Sequence, residues 1–190
     1  ILNRLIETEQ PDGVAVAFDL KKPTFRHLKY AEYKAGRKAM PEELALQMPI
    51  LKEWLELAGY SIIQCEGYEA DDILGTLARL CEEKETECVI STGDRDSLQL
   101  ISDKTRVVLV GNRENTNFTK EVLFEKYGLT PAEMIELKAL MGDSSDNIPG
   151  VAGIGEKTAT DLISRYHSVD YIYENLDALK IKDGVRNKLN

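Results

Sequence analysis

Eight carboxylates stand where the hydrophobic runs of this chain end: Asp19, Glu69, Asp71, Asp72, Asp94, Asp96, Asp143 and Asp146. The stretch Gly67-Tyr68-Glu69-Ala70-Asp71-Asp72 packs three of them into what should be the first turn of a helix. Taken alone it is an ordinary N-terminal cap, because acids there meet unpaired N–H groups and the positive end of the helix dipole. The theme recurs, however, at Asp19, at Gly93-Asp94-Arg95-Asp96 and at Gly142-Asp143-Ser144-Ser145-Asp146-Asn147. Carboxylates gathered about 5 Å apart repel by about 3 kcal/mol per pair at an effective dielectric of about 20. Several such pairs rival a domain's margin of about 5 to 15 kcal/mol. Either they are scattered and solvated, or cations hold them. Carboxylate oxygens without a neighbouring His or Cys set suit Mg²⁺ or Mn²⁺ rather than zinc. His27 and His167 are isolated and read as surface or packing residues.

The formal net charge of −9 argues at first against a nucleic-acid partner. The distribution reverses that, since Lys21, Lys22, Arg26, Lys29, Lys34, Arg37 and Lys38 face a single acid, Glu32, between them. A basic segment beside concentrated acids suggests a phosphate grip next to a cation site. That pairing fits in-line phosphodiester hydrolysis, in which one metal activates water and both stabilise charge on the attacking and leaving oxygens. No Ser, Cys or His nucleophile arrangement competes. The absence of Gly-x-x-x-x-Gly-Lys-Ser/Thr removes P-loop nucleotide chemistry.

The elements that must position these residues follow from periodicity. Ile1, Leu2, Leu5 and Ile6 recur at helical spacing. Val14 to Phe18 is a short apolar run, read as a strand buried on both faces and ending on Asp19. Thr24 to Gly36 reads as a basic, aromatic helix with Tyr30, Lys34 and Arg37 along one side. Pro41 opens a further helix whose Leu44, Met48, Leu51, Leu55 and Ala58 form a core stripe. Strands at Ser61–Cys65, Glu87–Thr92 and Thr105–Val110 alternate with a helix from Glu69, which implies βαβ units and a largely parallel sheet. Ligands of such sheets lie beyond the carboxyl ends of the strands, where Asp19 and Asp94 stand. Residues 111 to 119 read as a polar loop. Helices follow at Thr119–Tyr127, at Thr130–Met141 with Pro131 in its first position, and within Val169–Leu179, and the final residues read as one more helix under way. Gly150, Gly153 and Gly155 before a helix through Leu162 and Ile163 resemble a helix-hairpin-helix, whose glycines permit close backbone approach and whose second helix offers N–H groups to a phosphate.

With 190 residues, 43% of them apolar, the chain can bury the core of one domain with a small helical appendage. No apolar run is long enough to span a membrane. Cys65, Cys81 and Cys88 read as small core residues in a reducing compartment.

The strings Val16-Ala17-Phe18-Asp19, Thr24-Phe25-Arg26-His27, Glu32-Tyr33-Lys34-Ala35-Gly36-Arg37, Gly67 to Asp72, Thr92 to Asp96, Gly142 to Val151 and Gly153 to Ala159 occur in order along nearly the whole chain. Together they resemble the 5'-nuclease domain of bacterial DNA polymerase I. The resemblance implies an α/β, PIN-like 5'-nuclease fold: a mainly parallel central sheet flanked by helices over residues 1–141, a gateway at about 21–38, and a helix-hairpin-helix subdomain over 142–190. It implies a structure-specific 5'-3' exonuclease and flap endonuclease of replication and repair. The expected partners are DNA with a 5'-flap or a 5'-end at a duplex junction, and RNA–DNA primers. The expected cofactors are two or more Mg²⁺ or Mn²⁺ ions, with K⁺ at the hairpin.

By that resemblance Asp19, Glu69, Asp71, Asp94 and Asp96 hold catalytic metals, and Asp72, Asp143 and Asp146 complete a second site or its surroundings. Tyr33 offers a base a stacking surface, while Lys34 and Arg37 steer the scissile phosphate and Arg26 adds to the grip. Gly153, Gly155, Lys157 and Thr158 hold duplex DNA by its backbone. A monomer is expected, cytoplasmic at the nucleoid, without membrane and fused to polymerase domains. Members of the family begin with a strand ending in an additional metal-binding aspartate, and no counterpart precedes Ile1. A catalytically impaired, structure-specific DNA-binding module is therefore the alternative expectation.

Overall fold

The computed structural model describes residues 2–112 and 114–190, so the helical pattern read at Ile1 and the loop position Arg113 lie outside the described residues. The chain divides into two compact units.

One unit comprises the described residues up to Lys29 together with Lys38–Leu74. It contains α1 (Leu2–Glu9), β1 (Ala15–Ala17), α2 (Phe25–Lys29), α3 (Glu42–Leu57), β2 (Ser61–Ile63) and the start of α4 (Ala70–Glu83). β1 and β2 pair in parallel, with Ala15 opposite Ser61 and Ala17 opposite Ile63, and Phe18 continues the ladder by donating to the Ile63 carbonyl at 3.1 Å. The parallel pairing meets expectation, but burial does not. Ala15 is exposed and Val16 and Ala17 are half-buried, because among the described residues β1 pairs with β2 alone. The expected core stripe of α3 likewise reduces to Leu55 at 2% exposure, while Leu44 and Leu51 are exposed. Cys65, read as a core residue, is exposed, and Cys81 and Cys88 are only half-buried.

The second unit comprises Tyr30–Arg37 and Gly75–Asn190. β3 (Cys88–Thr92) pairs in parallel with β4 (Thr105–Leu109), and β5 (Thr116–Phe118) adds antiparallel to β4, with Val107 opposite Phe118. The single parallel sheet expected from the βαβ rhythm is thus, among the described residues, a set of short separate ladders, one of them mixed. β5 falls inside the stretch read as a loop. A 3-10 turn over Arg95–Leu100 follows β3.

α5 (Lys120–Tyr127) starts on Thr119, whose hydroxyl accepts from Val122 N–H, and ends on Gly128 at φ 66°. α6 (Pro131–Met141) opens with a full capping box between Thr130 and Glu133. α6 packs with α7 (Glu156–Tyr166), α8 (Val169–Glu174) and α9 (Asp183–Leu189) around Leu137, Leu140, Leu162, Ile163 and Ile172. Between α6 and α7, β6 (Gly142–Asp143) and β7 (Ile148–Pro149) close an antiparallel loop. No helix among the described residues is long and apolar enough to cross a membrane.

Candidate active site

In the first unit the acids collect at the N-terminus of α4. Asp19, directly after the β1 ladder, accepts from Ala70 N–H at 2.6 Å. Asp72 reaches back to Glu69 N–H at 2.9 Å, half of a capping box. The cap reading of this cluster is therefore correct as geometry, and the cap is what orients the acids. Arg26 binds Asp72 through two parallel hydrogen bonds of 2.7 and 2.8 Å and lies 3.8 Å from Glu69, which is 8% exposed. Its guanidinium also covers the Phe25 ring at 4.5 Å. Asp71 is exposed in the first turn of the helix.

In the second unit Asp94 caps the 3-10 turn, accepting from Asp96 N–H at 2.9 Å. Asp96 then points to Lys138, at 2.8 Å, and the same ammonium donates to Asp143 at 2.9 Å. Burial pushes the Asp96 carboxyl above its ordinary value, with Lys138 pulling against that rise. Burial would raise Asp143 too, but Lys138 together with the hydroxyl and N–H of Ser145 holds it well below the usual carboxylate range. Burial alone would lower Lys138, yet Asp96 and Asp143 hold its ammonium above the usual lysine value. Lys138 was not among the residues read from sequence. The available signal was the single cation of its helix, in the last turn and five residues before Asp143.

Asp146, from the same loop, gathers the gateway segment. Tyr33 donates its hydroxyl to Asp146 at 3.1 Å, Arg37 pairs with the carboxylate, Lys34 Nζ lies 3.9 Å away, and the Lys34 N–H donates to the Asp146 carbonyl at 2.9 Å. Asn147 adds a bond to the Glu32 carbonyl at 2.8 Å. These bonds explain why the helix expected over Thr24–Gly36 stops at Lys29: Tyr30 to Arg37 forms successive i to i−3 turns, and Lys34 takes a left-handed φ of 57° while its N–H turns to Asp146. Such a conformation costs a lysine about 1–2 kcal/mol and persists only where surrounding bonds impose it. Tyr33 is 6% exposed, with Lys34 Nζ 5.0 Å from the centre of its ring, so in this structure it is packed as well as hydrogen-bonded.

Two groups of acids are thus assembled, Asp19 with Glu69, Asp71 and Asp72, and Asp94 with Asp96, Asp143 and Asp146. Among the described residues no three His, Cys, Asp or Glu side chains stand close enough together to enclose an ion. Arg26, Lys138 and Arg37 lie against the carboxylates instead, relieving the repulsion that bare acids would suffer.

The hairpin glycines divide by role. A Cβ on Gly150 would meet Gly142 N at 2.3 Å, so Gly150 serves close approach within the chain itself, at the base of the acidic loop. Gly153 has φ 78°, and its carbonyl accepts from Lys188 at 2.8 Å. Gly155 precedes α7 in extended conformation with open space where a side chain would go, and Lys157 in the first turn of α7 is exposed.

Strand-end carboxylates, a basic turn and a glycine hairpin ahead of a helix define a nuclease class, and the chain belongs to the 5'-3' exonuclease family. Residues 1–128 match its N-terminal resolvase-like domain and residues 129–190 its C-terminal SAM fold. Relatives include DNA polymerase I of Bacillus subtilis strain 168, 47% identical over 184 residues, covering 96% of this chain and 21% of that protein. DNA polymerase I of Caldicellulosiruptor bescii is 45% identical over 193 residues, covering 100% of this chain and 22% of that protein. The chain spans about a fifth of the length of these relatives. Among solved structures, the T5 5'-exonuclease with bound divalent metal ions (zinc) is 27% identical with a TM-score of 0.81, covering 99% of this chain and 72% of that one. The bacteriophage T5 flap endonuclease in a complex with DNA and metal ions matches to the same extent. The catalytic core of Rad2, 21% identical with a TM-score of 0.60, shares the fold. These matches bear out the PIN-like α/β core with a C-terminal helical fold.

Proposed function

We propose that the chain is a divalent-metal-dependent 5'-nuclease module that hydrolyses DNA phosphodiesters at 5'-flaps and 5'-ends beside duplex, and RNA primers paired to DNA. The observation that carries this reading is the bridge from Asp96 through Lys138 to Asp143, in which an ammonium ion acts as a stand-in cation between two carboxylates. The donor set fits the group: every candidate ligand is a carboxylate oxygen, the chemistry preferred by Mg²⁺ or Mn²⁺. Asp19, Glu69, Asp71, Asp94 and Asp96 would hold catalytic ions, with Asp72, Asp143 and Asp146 in a second site or around it. Bound there, such ions would supply a water of lowered pKa and neutralise charge on the attacking and leaving oxygens.

The chain's own groups do the rest. Lys34 and Arg37 orient the scissile phosphate and offset its charge. Arg26 adds to the positive field, and Tyr33 holds the gateway turn through its hydroxyl. Gly153, Gly155, Lys157 and Thr158 present backbone N–H groups and a cation to the duplex phosphates, with K⁺ as an additional ligand of the hairpin carbonyls. The setting is that of the polymerase relatives: replication and repair of nucleoid DNA, as a monomer and within a longer polymerase.

The test is cleavage of a labelled 5'-flap duplex with Mg²⁺, alongside Asp94→Ala. Cleavage lost in Asp94→Ala supports the reading. Flap binding without product from the unaltered chain would favour a DNA-binding module that does not cut, and indifference to Asp94→Ala would sink the assignment of the acids.

A further inference from the structure

The family reading puts Asp96 among the ligands of the catalytic ions and Asp143 in a second site or around it, and the structure sets one cation between the two. Lys138 Nζ lies 2.8 Å from Asp96 Oδ1 and 2.9 Å from Asp143 Oδ2, so both oxygens are aimed at one point. Lys138 is held there from its own side. It occupies the last turn of α6, where the helix dipole favours a cation, and Leu137 and Leu140 beside it are buried at 4% and 0%. Its side chain is 35% exposed, while that of Asp143 is 19% exposed. The Asp143 oxygens are further committed: Oδ2 faces Lys138, and Oδ1 accepts from the N–H and hydroxyl of Ser145. A metal ion using Asp143 Oδ2 and Asp96 Oδ1 needs the position that the ammonium fills.

We propose that Lys138 is a positioning residue that competes with the divalent cation: its ammonium neutralises the Asp96–Asp143 pair, and loading the pair with metal displaces it. This rests on the roles proposed above, Asp96 holding catalytic ions and Asp143 in a second site or around it. It adds that metal affinity is set by an exchange of cations rather than by bare carboxylates. The metal-free pair therefore keeps low repulsion, and loading it exposes a lysine.

Two measurements on the 190-residue chain test this without a nuclease assay. Mn²⁺ binding, followed by electron paramagnetic resonance of the free ion, should tighten about ten-fold in Lys138→Met, which keeps the length of the side chain and removes the competing charge. In the unaltered protein, acylation of Lys138 by a water-soluble ester, read by mass spectrometry, should be slow without metal and at least about three-fold faster with saturating Mn²⁺. A lysine that merely clips the fold predicts neither. Saturable Mn²⁺ binding of equal strength in both proteins overturns the competition while leaving the metal assignment standing. An unchanged or slower acylation on adding Mn²⁺ overturns it even where Lys138→Met does not fold. No saturable Mn²⁺ binding by the unaltered chain overturns the competition and the metal assignment together.

Discussion

Gly142→Ala should loosen the acidic loop and the gateway with it. Gly142 sits at φ 72° and ψ −172°, a region open to glycine and closed to other residues at a cost of about 1–3 kcal/mol. A Cβ there would lie 2.3 Å from Gly150 N and 2.6 Å from the Ile148 carbonyl, both backbone atoms that cannot rotate away. Relieving the overlap means separating β6 from β7 and lengthening the bond from Val151 N–H to the Leu140 carbonyl, now 2.8 Å. Two or three hydrogen bonds at about 1 kcal/mol each bring the total to roughly 3–6 kcal/mol. At about 2–4 °C per kcal/mol for a chain of this size, the melting temperature should fall by roughly 6–24 °C. Thermal unfolding followed by circular dichroism measures this. Limited trypsin digestion supplies the second readout, because Lys34 and Arg37 depend on Asp146 from the same loop and should be cut sooner. Gly155→Ala is the control: its Cβ would meet nothing within 4 Å, so stability should hold within about 0.5 kcal/mol. A Gly142→Ala protein melting within about 2 °C of the parent, with unchanged digestion, would refute the reasoning.

The remaining predictions concern charge. Asp143 is held below its ordinary value of 3.8, so its stabilising effect is complete above that pH and is lost as pH falls through the lower folded value. Urea midpoints between about pH 4 and about pH 2 should therefore fall more steeply for the parent than for Asp143→Asn; parallel curves would contradict this. Lys34→Ala should mainly lower the single-turnover cleavage rate. Lys157→Ala should mainly weaken duplex binding and reduce the slope of log affinity against log salt by about 1. Equal losses of affinity with unchanged rates would show those roles to be misassigned. Arg26→Ala and Asp72→Ala, combined in a double-mutant cycle, should show a coupling of about 1 kcal/mol, as suits a partly exposed bidentate pair; additivity would mean the pair is incidental.

Sequence reading located the acids because a carboxylate that ends an apolar run leaves a local trace, as at Asp19 after β1 and Asp94 after β3. The parallel partner of β1 followed from the helical patterns between the strands, whereas β3 and β4 pair in parallel across a 3-10 turn that sequence reading did not find. What stayed hidden depends on distant partners. Lys138 looks like any last-turn lysine until the fold brings Asp96 to it. Tyr33 reads as an exposed aromatic in a basic segment, and only the Asp146 carboxylate explains its burial. β5 escaped because Thr116-Asn117-Phe118 is short and polar, and it becomes a strand by pairing with β4. The apolar residues of α3 kept helical spacing, but periodicity shows that a face exists and not that anything covers it.

The loop between Gly142 and Gly150 is fastened at both ends, by the backbone contact of its two glycines and by the capture of the 30–37 turn through Asp146 and Asn147. Its length is therefore not a free variable. Adding one residue would shift Asp143 relative to Lys138 or Asp146 relative to Arg37, and no single compensating substitution could restore both. Among sequences of this family, insertions and deletions should avoid this loop, even where the side chains at Ser144 and Ser145 change.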